Sequence, residues 1–341
     1  MSDMSAGSGG RERSGFLPDR TVHLHPLARC NLACRHCYSS SSPQASAVLS
    51  MEVLAPALET LRGEGYEVLS LSGGEPMLYP ELGALTSHAR ALGFRVVAIT
   101  NGFRVGLRFA DLLCGFDGLA VSFDGLKPVH DDVRGNPRAF DVGLAALDYL
   151  KTIGKPAAAA YTVSQASLPD IPEFIELVAD KGVRAVQLRP LVMAGRARSD
   201  YVGPALRPAD MSRLWLIAEA LSAGYDGRPA IHADLAHASA ISADRSAWDP
   251  AFRGGERLLS DLVNPLVITP TGALRPYTYD FPRRYDLGHV GALAARRVSA
   301  VRQAFPKVAD LLRRALDDVA RRDEFVDWFA YCRDFGARAH A

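Results

Sequence analysis

Between Thr21 and Arg189 the chain alternates short apolar runs of strand length with longer stretches whose apolar residues recur at helical spacing. The run 21–28 predicts a first strand, and Met51, Leu54, Leu58 and Leu61, following Ser50 as a candidate N-cap, predict a first helix. Further strands are expected at 67–71, 94–99, Gly118–Phe123, Ala157–Val163 and 183–189, with helices at 80–92, 107–113, 139–153 and from Asp170, a second candidate cap, to Lys181. No hairpin signal falls between them. Strands separated by helices predict an α/β fold with a parallel sheet and right-handed crossovers, either doubly wound or curled into a barrel.

The placement of unusual polar residues favours the barrel. Cysteines follow the first strand, Gly73, Gly74 and Glu75 the second, and Asn101 the third; Ser122 and Asp124 end the fourth, and Gln187 and Arg189 lie on the sixth. Barrel enzymes assemble their sites at that rim from several strands, whereas an open sheet concentrates them at one switch point. A partial (β/α)6 TIM-like barrel over 21–195 is therefore expected. Beyond Pro190 the pattern changes to a loop, a helix at Pro208–Gly224, an irregular stretch 230–260, a strand 264–269 turning at Thr271 and Gly272 into 273–278, and two helical patterns over 297–335. This part, 196–341, reads as a smaller α+β cap, and the Gly- and Ser-rich residues 1–20 as a disordered leader.

Composition removes several function classes. Hydrophobic residues at 48% and charged residues at 23% describe a globular chain rather than a disordered one. No apolar run reaches the ~20 residues of a membrane span, and no signal-peptide core is visible, so a cytoplasmic location is expected. A net charge of +1 gives no chain-wide field for nucleic acid. The arginine pairs near the C-terminus are interspersed with Asp317, Asp318 and Asp323, as on a solvated helix face.

Three of the five cysteines, Cys30, Cys34 and Cys37, crowd into CNLACRHCY. That is a poor disulfide framework and a good soft-metal site. A structural zinc would need a fourth ligand, from His36 or from a distant residue. A redox pair would use Cys34 and Cys37 and leave Cys30 unexplained. Three thiolates without a fourth suit a [4Fe–4S] cluster with one iron left open.

The C-x3-C-x2-C spacing of this stretch resembles the signature of the radical S-adenosylmethionine (SAM) enzymes. The resemblance covers Thr21 to about Arg189. It implies that the open iron chelates SAM, and that an electron from an external carrier of flavodoxin or ferredoxin type leads to a 5′-deoxyadenosyl radical that abstracts hydrogen from substrate. SGGEP at Ser72–Pro76 resembles the family's glycine-rich loop, which implies that Gly73, Gly74 and Glu75 receive the SAM ammonium. TNG with Asn101, and SFDG with Ser122 and Asp124, resemble motifs near the SAM ribose and carboxylate. HDDVRG at His130–Gly135 is similar to a segment of the subgroup with SPASM or twitch extensions, which makes Arg134 the candidate partner of the SAM carboxylate.

The chain departs from that subgroup where Tyr277 stands at an expected auxiliary-cluster cysteine and only Cys332 remains in the C-terminal half. One cluster, a redox-neutral reaction and a small-molecule substrate are the resulting expectations, with modification of a ribosomal peptide as the alternative. Overall size and cysteine position resemble sugar-nucleoside decarboxylases of antibiotic pathways, such as cytosylglucuronate decarboxylase. Arg189 is a candidate clamp for a substrate carboxylate or phosphate, Cys332 a candidate hydrogen-atom donor, and Cys114 a buried core residue.

Overall fold

The computed structural model describes residues 19–201, 203–248 and 257–338. The leader expected over 1–20 therefore lies almost wholly outside the described residues. Seven strands, β1 (Thr21–Leu24), β2 (Val68–Leu71), β3 (Arg95–Thr100), β4 (Gly118–Phe123), β5 (Ala157–Val163), β6 (Ala185–Pro190) and β7 (Ala230–Ala233), pair in parallel in chain order. The order never reverses. A doubly wound sheet needs a reversal, so this arrangement is the partial barrel, with its sheet left unclosed.

The crossovers carry α1 (Met51–Gly63), α2 (Leu82–Ala91), α3 (Ala110–Leu113), α4 (Lys127–Arg134), α5 (Ala139–Thr152), α6 (Ile171–Asp180), α7 (Ala197–Asp200) and α8 (Pro208–Gly224). Ser50 and Asp170 occupy the N-cap positions of α1 and α6 but make no side-chain capping bond. HDDVRG, not read as helical from its pattern, forms most of α4. Gly135 closes that helix at φ 62, where its N–H reaches back to the Asp132 carbonyl.

Register sorts the side chains into two faces. Leu119, Val121 and Phe123 of β4 and Val186 and Leu188 of β6 are buried, and α5 packs against β4. The alternate residues, Ser122, Gln187 and Arg189, are only partly buried. Across the ladder Ser122 pairs with Ala160, Ala160 with Gln187, and Gln187 with His232, so these four share one face. The run of alanines in β5 leaves that face little bulk, and polar atoms keep access to it.

Two features of the C-terminal half differ from expectation. The described residues of the stretch 230–260 form β7, β8 (Ala236–His237) and short helices instead of being irregular, and 249–256 lie outside the described residues. The hairpin of β9 (Leu266–Ile268) and β10 (Ala273–Pro276) joins the main sheet, because β9 pairs in parallel with the free edge of β1. β11 (Gly288–His289) then pairs with β10, and β12 (Phe325–Val326) with β8 in a separate ribbon. Local periodicity contains no information about which distant edge a short strand will join. The two closing helices run Val298–Val319 and Trp328–Arg338, and no described helix is long and apolar enough to cross a membrane.

Candidate functional site

The cysteine loop leaves β1 at the C-terminal rim and is tied down from three sides. Arg35 N–H donates to the Val133 carbonyl at 2.9 Å, and its guanidinium forms a two-pronged contact with Asp132 at 2.6 and 3.0 Å, which fixes the loop to α4. From the opposite side Arg196 donates to the Cys34 carbonyl at 2.8 Å and the Ser41 carbonyl at 2.6 Å, while its backbone N–H reaches the Cys37 carbonyl. Gly195 makes this approach possible, since a Cβ there would stand 2.2 Å from the Tyr38 carbonyl oxygen. From β3, Asn101 Nδ2 donates to Asn31 Oδ1 at 2.9 Å and faces Cys30 Sγ at 3.8 Å.

SGGEP is pressed against the same loop. A Cβ on Gly74 would fall 1.9 Å from the Arg29 carbonyl oxygen, and one on Gly73, at φ +107, would meet His25 and the Leu27 carbonyl at 2.9 Å. The glycines are thus required by the chain's own backbone before any ligand is considered. Glu75 is buried: Oε1 accepts from Thr100 Oγ1 at 2.8 Å and Met77 N–H at 3.1 Å, and Oε2 from Asn101 N–H at 2.9 Å. Its carboxylate locks SGGEP to TNG. Burial raises its carboxyl above the ordinary range, partly offset by those donors.

A buried ion pair stands behind the thiols. Arg134 Nε donates to Asp124 Oδ2 at 2.7 Å, and His36 Nε2 lies 3.0 Å from Asp124 Oδ1. Burial alone would push the Asp124 carboxyl up; Arg134 and His36 outweigh it and hold the group well below its ordinary value. His36, weighed as a fourth zinc ligand, turns Nε2 toward this carboxylate while its buried Nδ1 meets no hydrogen-bond partner among the described residues. His130 accepts from the Asp124 N–H at 3.2 Å, and burial lowers it to about 3.

Burial pushes the Cys30 thiol up to about 11 and the Cys34 thiol up to about 12, and Arg134 pulls both back. Such thiols ionise only when a strong positive centre joins them, which is the demand a bound iron centre meets. Among the described residues no three His, Cys, Asp or Glu side chains converge as a single metal ion requires. The donor set on the loop is three soft sulfurs, the ligand type that iron–sulfur centres take.

Across the mouth, Arg189 Nε lies 3.0 Å from Asp234 Oδ2, and Gln187 Nε2 donates to the same carboxylate at 2.9 Å. Ser122 lies on the same face as Gln187. Asp234, just past β7, and Arg196, just past β6, were missed in the sequence. Their position beyond strand ends on the active rim was the available signal.

Two other readings change, and a third residue gains a setting. Cys332 is completely buried in the core, so its thiol opens on no part of the mouth. Cys114, expected inside, is exposed, because α3 is a single turn whose buried position is taken by Leu113. Tyr277, standing where the subgroup has a cysteine, stacks on Phe329 with ring centroids 5.1 Å apart.

Residues 24–178 match the family model described as the Radical SAM superfamily. The chain is 38% identical over 190 residues to pre-heme d1 synthase of Dinoroseobacter shibae, which covers 54% of this chain and 46% of that protein. It is 34% identical over 191 residues to AdoMet-dependent heme synthase of Methanosarcina barkeri, covering 54% and 55%. The chain thus spans about half the length of these curated relatives. In fold it is similar to anSMEcpe, whose structure is described with bound AdoMet and a Cp18Cys peptide, at TM-score 0.65 and 14% identity over 92% of this chain and 87% of that one.

Proposed function

We propose that this chain is a radical SAM enzyme, on the match of residues 24–178 to that superfamily's model, that Cys30, Cys34 and Cys37 hold its [4Fe–4S] cluster, and that it acts on a small molecule. Held by these three thiolates, such a centre would supply the one-electron reduction on which SAM-dependent radical chemistry rests. The observation that carries this reading is the convergence of the cysteine loop, SGGEP, Asn101 and the Arg134–Asp124 pair on one rim.

Within the site, the Ser72–Gly74 backbone faces the SAM ammonium, Arg134 offers its terminal N–H groups to the SAM carboxylate, and Asn101 orders the loop bearing Cys30. Asp124 holds Arg134 in place instead of touching SAM. Ser122, Gln187 and Arg189 line the substrate side, and residues 196–341 cover it. Arg189 is half exposed and sits in an ion pair with Asp234, its Nε 3.0 Å from Oδ2, which leaves its terminal nitrogens for a substrate oxyanion.

The names of the heme and pre-heme synthases support a small-molecule substrate, and a redox-neutral step such as decarboxylation fits a chain with Cys332 alone in its C-terminal half. The narrower likeness to sugar-nucleoside decarboxylases gains no support from these relatives. The alternative, peptide modification, draws on a structure described with a bound peptide, whose 14% identity speaks to fold alone.

The test is anaerobic reconstitution followed by SAM, reductant and deuterated candidate substrates. Release of 5′-deoxyadenosine carrying substrate deuterium is expected. A colourless zinc protein without labile sulfide, or no 5′-deoxyadenosine under any condition, sinks the reading.

A further inference from the structure

A cleft of about 440 Å³ opens beside the cysteine loop, lined by Arg29, Cys30, Asn31, Pro43, Leu78 and Arg104. Its lining includes Cys30 from the cysteine loop and Leu78 from the turn after SGGEP, and none of Arg134, Glu75 and Arg189. The cleft's cationic wall continues into the stretch after β3, GFRVGLRFA, which contains no acidic residue.

Arg104 and Arg108 both lie over the ring of Phe109, their guanidinium carbons 5.3 and 5.9 Å from its centroid. Leu107, between them, is 82% exposed. Among the described residues Arg29, Arg104 and Arg108 have no carboxylate partner, unlike Arg35, Arg134 and Arg189. Phe103 N–H donates to Asn101 Oδ1 at 3.1 Å, and Asn101 reaches Cys30 and Asn31, so the basic stretch is tied to the cysteine loop.

An exposed leucine between two preordered, uncompensated cations is a small apolar anchor inside a basic ring, and it complements an acidic protein face with an apolar centre. Resting on the reading of Cys30, Cys34 and Cys37 as cluster ligands, we propose that the face made by Arg29, Arg104, Leu107 and Arg108 docks an acidic one-electron carrier protein. At this face the carrier loses one electron and the centre behind Cys30 gains it; no bond is made or broken and no proton moves.

The experiment uses reconstituted holoenzyme without SAM and a bacterial flavodoxin as the probe. Binding of oxidised flavodoxin is followed by interferometry, and reduction of the cluster by flavodoxin hydroquinone by stopped-flow absorbance. The double variant R104E/R108E is expected to bind at least about tenfold more weakly at low salt and to be reduced correspondingly more slowly, with the difference shrinking as ionic strength rises. Leu107→Ser, a change at an exposed position, is expected to speed flavodoxin dissociation.

Dithionite, which needs no docking face, is expected to reduce the wild type and both variants equally. Arg213→Glu, on α8 beside β7, is expected to leave binding unchanged. Wild-type binding by R104E/R108E overturns the proposal; so does an equal loss in Arg213→Glu, or a parallel loss of dithionite reduction. If the wild type takes up no cluster at all, the proposed function fails first and this inference falls with it, an outcome visible before flavodoxin is added.

Discussion

The rim carries two Arg–Asp pairs of nearly the same geometry and very different surroundings. Arg134 Nε meets Asp124 at 2.7 Å with side chains 5% and 3% exposed, and Arg189 Nε meets Asp234 at 3.0 Å with side chains 43% and 33% exposed. In the first, both ions have lost their water and depend on each other; in the second, solvent screens the attraction and either ion can accept another partner. A buried pair is fixed structure that sets the position of neighbouring groups. A half-exposed pair is a surface that a ligand can rearrange.

The largest effect should come from the loop that the buried pair supports. Cys34→Ala is expected to lose the cluster outright, with iron and sulfide content near background after reconstitution. Its unfolding midpoint should stay close to that of the metal-free wild type, because the loop remains tied by Arg35 and Arg196. A variant that retains a full complement of iron would remove Cys34 from the ligand set.

Next in size is the buried pair itself. Asp124→Asn leaves the Arg134 charge without its counter-ion and should cost about 3–5 kcal/mol in denaturant unfolding. Arg134→Gln in the same chain should recover part of that loss, since the uncompensated charge is then gone. A cost below about 1 kcal/mol for Asp124→Asn would place this pair in the same class as the exposed one.

These contrasts also show what the chain order could and could not reveal. Strands β4 and β5 were legible to the residue because each is an apolar run between polar breaks. Cys30, Cys34 and Cys37 were legible because their spacing is local. Arg196 and Asp234 were not, since one holds carbonyls on the loop of Cys34 and the other meets side chains of β6, partners that only the fold brings close. The glycines of SGGEP were found for an incomplete reason: approach to a ligand was expected, and the nearest demand is the Arg29 carbonyl of the chain itself. Cys114 shows the reverse error, where an apolar pattern over one turn of helix does not define an inside.

The exposed pair should respond in binding rather than stability. Arg189→Gln is expected to change unfolding free energy by no more than about 1 kcal/mol. It should raise the KM for an acidic substrate while 5′-deoxyadenosine formation from SAM alone persists. Equal loss of substrate-independent SAM cleavage would show that Arg189 supports the cofactor side instead.

The smallest effect reads the exposed pair through a neighbour. Asp327, partly buried where its Oδ1 accepts the Ala330 N–H, has its carboxyl pushed up to about 6 by burial and then by the Asp234 charge, against the pull of Arg333 and Arg189. A carboxyl raised on folding is tolerated best while protonated. Its contribution therefore favours the folded state below about pH 4 and declines as pH rises through about 6, by on the order of 1 kcal/mol once solvent screening is allowed for. Asp327→Asn keeps an acceptor for Ala330 and should flatten that decline. Asp234→Asn removes a repelling charge and should move the decline toward lower pH. If stability between pH 4 and 7 follows the same curve in wild type and Asp327→Asn, the charges around Arg189 do not act on Asp327, and the pair is more fully screened than its separation implies.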